Sequence, residues 1–219
     1  MNKLLIFLLF PILLFSQQDE RKYHFDYFEK VNFRIHPYNE NQDSYFFKNS
    51  KDSTYHLELR YAKYDTIAKM YDNTIKENVI FDLNFIYKNI NDLKKLSNPS
   101  IDKSITSVLK NKKAIKYIED FEFEHDTINK QFIIHKIQRK DNKKKTIINE
   151  HYFFFSKNKN ICPINNSKIK EHFIKNYKLE IPEDYHYEKT LCLIDGKINT
   201  QDQIIKIEKI DFDLSFIIK

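Results

Sequence analysis

A 219-residue chain with a single glycine has very few places where its backbone can turn through positive φ at no steric cost. Motifs that need several glycines are excluded at once. There is no GxGxxG dinucleotide fingerprint and no P-loop. There is no GxSxG nucleophile elbow. The one glycine, Gly196, follows Asp195 in "TLCLIDGKINT". Asp-Gly between two apolar segments predicts a two-residue type I′ hairpin, whose turn residues both take positive φ.

Alternation of apolar and polar residues predicts strands on both sides of that turn and through much of the chain. In "TYHLELRY", Tyr55, Leu57, Leu59 and Tyr61 share one face, while His56, Glu58 and Arg60 share the other. "YFEKVNFRIH", "SYFFK", "DTIAKMYD", "NVIFDLNFIY", "FEFEH", "QFIIHKIQ" and "TIINEHYFFF" read the same way. Asp72-Asn73 is a turn former between two of them. The tail "QIIKIEKIDFDLSFIIK" changes phase at Glu208-Lys209, which predicts a bulge there. The run "HYFFFS" departs from alternation: core packing of Phe153, Phe154 and Phe155 is expected, and the alternative places one of them outside the main core, against a helix, a second sheet or a partner.

Helical spacing predicts three helices. Ile101, Ile105, Val108, Leu109, Ile115 and Ile118 fall on one stripe, with Asn98 as cap and Pro99 at the first helical position. A short helix is expected over 91–96, and another over 167–177, where Ile169, Phe173 and Tyr177 repeat every four residues. The expected fold class is therefore α+β, a mainly antiparallel meandering sheet with two or three helices. A single domain over 18–219 is expected, with a candidate subdomain split at 89–99.

The first 17 residues have the layout of a cleaved secretory signal peptide: Lys3, a 12-residue apolar stretch from Leu4 to Phe15, then Ser16 and Gln17. The apolar stretch is shorter than the roughly 20 residues a spanning helix needs. An exported protein, periplasmic or extracellular, with no transmembrane segment in the mature chain is the expectation. Nucleic acid is not expected as a partner despite the net charge of +6. Only Arg21, Arg34, Arg60 and Arg139 carry guanidinium groups among 37 cations, and arginine is what phosphate recognition favours. The lysine excess accompanies abundant Asn, Ile, Phe and Tyr, as AT-rich codon usage would produce.

No HExxH, CxxC or EF-hand pattern occurs, so neither a metal nor another cofactor is expected. Two acidic segments supply weak polar-site candidates. "IEDFEFEHD" offers Glu122, Glu124 and His125, and "IPEDYHYEKT" offers Asp184, His186 and Glu188. Such residues could act as general acids and bases, or form solvated strand faces. The two cysteines, Cys162 and Cys192, would pair as a structural disulfide in an oxidising compartment. The functional expectation is a binding or interaction module at the cell envelope, for a protein partner or an apolar ligand held between a curved sheet and helices. A secreted hydrolase using the two acidic segments is one alternative. A structural or adhesion component is the other.

Overall fold

A computed structural model describes residues 19–61, 63, 66–75, 77–102, 118–139, 147–157 and 163–218. The signal-like segment, Cys162 and the middle of the long predicted helix lie outside these residues. The strands are β1 (Asp19–Ile35), β2 (Glu40–Lys48), β3 (Tyr55–Tyr61), β4 (Thr66–Asp72), β5 (Glu77–Asp82), β6 (Ser97–Asp102), β7 (Ile118–Asp126), β8 (Gln131–Arg139), β9 (Ile147–Ser156), β10 (His186–Ile194) and β11 (Lys197–Ile218). One α-helix, α1 (Pro163–Tyr177), lies between β9 and β10.

All eleven strands form one antiparallel sheet in the order β6-β5-β4-β3-β2-β1-β11-β10-β9-β8-β7. Two meanders are thus joined along β1 and β11, whose register runs from Asp19↔Ile218 to Ile35↔Thr200. No described helix is long and apolar enough to cross a membrane.

The expected α+β class is overturned, because the described residues are almost entirely sheet with one α-helix. The long predicted helix fails at both of its described ends. Residues 97–102 form β6, and 118–120 open β7. Asn98, expected as a cap, has φ 51 within the strand. Pro99 suits an edge strand, which does not need its missing N–H. Pairing of Ile101 with Val79 won over helical spacing. The short helix over 91–96 becomes a 3-10 turn, Ile90–Lys95, with a capping box between Asn89 and Asp92. The helix expected over 167–177 is present as the end of α1, and it stops where Lys178 takes φ 56.

Antiparallel partners share a face, so the register assigns every side chain. One row runs Phe28↔Phe47↔Leu57↔Met70↔Val79, and all five side chains are buried. Together with Phe25, Phe81, Leu93, Phe212 and Phe216 they form the core of the N-terminal meander. Each fully buried Leu or Phe contributes about 1.5–3 kcal/mol.

The meander curls around this core. The Phe81 and Phe216 rings lie 5.3 Å apart although four strands separate β5 from β11. The roll stays open between β6 and the end of β11, where Val79, Pro99, Ile101, Phe216 and Ile217 line a cavity of about 560 Å³.

The C-terminal meander builds its core on the opposite face. Ile134, Phe155, Phe173, Ile181 and Tyr185 are buried there, with α1 as cover. Within "HYFFFS", Phe155 and Phe153 point into this core, and Phe154 lies on the other side beneath the Lys189 ammonium. The sheet is therefore S-shaped in its burial, covered on one face in each half. β1 carries apolar residues on both parities for this reason.

The turn at Asp195-Gly196 has φ 51 and 71, as a type I′ hairpin requires. Against β1, β11 has two register shifts, one opposite Phe25–Tyr27 and one opposite Lys30–Val31. The first spans Lys209 to Phe212, one to two residues beyond the expected bulge.

Candidate functional site

The face that carries the C-terminal core does not end with α1. Its register row continues as Ile134↔Phe153↔Thr190↔Asp202↔Phe33↔Gln42, from β8 across to β2. α1 covers the beginning of the row, with Phe153 and Phe173 ring centroids 5.0 Å apart. The remainder is open and forms a cleft.

Two cavities make up this cleft. One, of about 400 Å³, lies over β11, β1, β2 and β3, with Val31, Phe33, Phe46 and Ile204 as apolar walls. The other, of about 420 Å³, lies against α1 and is walled by Phe153, Phe173 and Tyr177. Tyr187 and Asp202 line both, so they mark the junction. Volumes of this size, apolar walls and a few converging polar groups are the properties of a small-molecule site.

The charged groups of the cleft are arranged in pairs, with one exception. Glu29 is buried, and its Oε2 lies 2.5 Å from Lys48 Nζ. Arg60 Nε lies 3.8 Å from Glu58 Oε1. Lys136 Nζ lies 2.6 Å from Glu119 Oε1 and donates to the Tyr177 hydroxyl at 3.2 Å. Burial pushes the Lys136 ammonium down, but its bonds to Glu119 and Tyr177 outweigh this and raise it. Asp202 is the exception. Its carboxylate makes no hydrogen bond or ion pair among the described residues, and burial alone pushes its pKa up. The Tyr187 hydroxyl is pushed up to about 12, chiefly by burial, with the charges of Asp202 and Glu29 adding to it. It shares a 2.7 Å hydrogen bond with Thr190.

The sequence candidates lie elsewhere. His125 Nε2 is 2.6 Å from the Tyr185 hydroxyl, which joins β7 to the segment before β10. Glu122 is on the other face of β7, exposed, 3.3 Å from His135. Glu124 is exposed on the same strand. Asp184 pairs with Lys157 at 2.6 Å, and Glu188 accepts from Gln131 at 3.2 Å. Burial and the nearby Lys170 charge lower the His186 pKa. None of these six lines a cavity described above. Among the described residues no three His, Cys, Asp or Glu side chains gather as a metal site.

Cys192 is a half-buried free thiol, and burial raises its pKa. Its expected disulfide partner, Cys162, is outside the described residues.

The cleft residues Glu29, Lys48, Tyr187 and Asp202 escaped the sequence reading. They come from four strands and meet only through the register. One signal was available, the double-sided apolar pattern of "FEKVNFRI", which shows that β1 is contacted on both faces. No protein-family model matches the chain, and no curated protein sequence is significantly similar to it.

Proposed function

We propose that the protein is an exported binding protein of the cell envelope that holds a small apolar-bodied ligand in the cleft between α1 and β3. The observation that carries this reading is the open continuation of the second core face. Val31, Phe33, Phe46 and Ile204 are only half-buried by the described residues and wall an open cavity directly beside a covered core. Apolar side chains gain about 25 cal/mol for each Å² removed from water, so a ligand can complete the burial that α1 provides further along the row. Most polar groups of the cleft are already engaged with one another, Lys48 with Glu29, Lys136 with Glu119 and Tyr177, and Tyr187 with Thr190, which suits orientation of a ligand more than reaction of one.

Titration with Nile red, a neutral apolar fluorophore, tests this. Saturable binding of one dye per chain is expected. Val31→Trp fills the cleft and should weaken binding at least about tenfold with little change in Tm. Dye binding that is non-saturable, or indifferent to Val31→Trp, would refute the proposal.

A further inference from the structure

The charge pattern of the cleft narrows its ligand to one chemical class. Lys48 is matched by Glu29, Arg60 by Glu58 and Lys136 by Glu119. His172, at the α1 end, is bonded through Nδ1 to the Asn176 amide at 2.9 Å. Tyr187 is turned to Thr190, and the Cys192 thiol to Thr200. Among the described charged groups of the cleft Asp202 alone lacks a counter-group, and it stands where the two cavities meet, opposite Phe33 on β1 and Thr190 on β10. A half-buried carboxylate in apolar surroundings is costly unless a charge or donor meets it.

We infer that Asp202 is the anchor for the cationic nitrogen of an amphipathic amine whose apolar body lies along the cleft. This rests on the cleft being a binding site, as proposed above. A ligand with one positive nitrogen would neutralise the one carboxylate of the described cleft lining that has no counter-charge. Its apolar arm would run either towards Phe46 and Ile204 or towards Phe153 and Phe173. A carboxylate ligand would place a second negative charge beside Asp202 and Glu29, and like charges in a poorly hydrated cleft repel. Burial raises the Asp202 pKa because nothing offsets the lost hydration of the ionised carboxylate, and an incoming ammonium would supply that missing counter-charge.

Three probes of one shape separate the possibilities: 4-phenylbutylamine, 4-phenylbutanol and 4-phenylbutanoate, each titrated by calorimetry near neutral pH. The amine should bind at least about tenfold more tightly than the alcohol, and the carboxylate should bind most weakly. Asp202→Asn should abolish the preference for the amine and leave alcohol binding in place. If alcohol binds but the amine gains nothing, or if Asp202→Asn leaves the preference intact, the anchor is disproved while the cleft survives. If none of the three binds, both the anchor and the cleft reading fall.

Discussion

The Tyr23 hydroxyl donates a 2.7 Å hydrogen bond to the Asp72 carboxylate, linking β1 to β4 although two strands lie between them. The bond is buried and spans the mouth of the curled N-terminal meander. Asp72 also accepts from the Thr74 backbone at 2.8 Å, holding the turn between β4 and β5. Tyr23→Phe should therefore cost about 1–2 kcal/mol, because it leaves a buried acceptor short of one donor. Chemical denaturation of the two proteins measures this.

Asp72 also gives the fold an acid-labile point. Burial pushes its carboxyl up, but hydrogen bonds from Thr74 and Tyr23 and the Arg21 charge outweigh this and hold it below its ordinary value. The folded pKa lies under the unfolded one, about 3.9. The contribution is complete above that value and disappears as pH falls through the folded pKa. Asp72→Asn should thus lose stability at neutral pH and show a flatter decline in acid. Denaturation midpoints at several pH values read both effects.

Asp202 has the opposite sign. Its folded pKa is raised by burial, so its contribution is most favourable below the unfolded value and is lost as pH rises through the folded one. Ionised Asp202 therefore weakens the ligand-free protein near neutrality. Asp202→Asn should raise Tm at pH 7, with the gain shrinking below about pH 4. A residue that lowers stability at working pH while facing a cleft is what a binding role selects.

The Asp195-Gly196 turn should be sensitive to backbone strain alone. A Cβ at Gly196 would meet nothing within 4 Å, yet the residue sits at φ +71. Gly196→Val should cost about 1–2 kcal/mol or more, since an L-residue resists the left-handed region and β-branching adds to this. Gly196→Asn should cost less, because Asn tolerates that region. Equal stabilities for the two variants would contradict the turn assignment.

Sequence periodicity revealed local structure well and faces poorly. Tyr55, Leu57, Leu59 and Tyr61 alternate in sequence and share a face in β3, because a strand in the middle of a covered meander buries one side. Asp195 and Gly196 were legible because only one turn type suits them. Ile101 misled, since its spacing to Ile105 fits a helix while its partner in space is Val79. Of the cleft, only the double-sided apolar pattern of β1 was legible. Phe33 and Asp202 are adjacent only because β1 and β11 pair across the whole length of the chain. Asp202 itself stands in the polar run "NTQDQ", where nothing marks it as half-buried.

The most direct test of the cleft as the binding site is backbone amide mapping by NMR during titration with 4-phenylbutanol. Shifts should concentrate at residues 29–33, 42–48, 187–190 and 202–204, with the remainder of the sheet unmoved. Shifts centred instead on the opening between β6 and β11, at residues 98–101 and 216–217, would contradict the cleft as the site, as would no localised response at all.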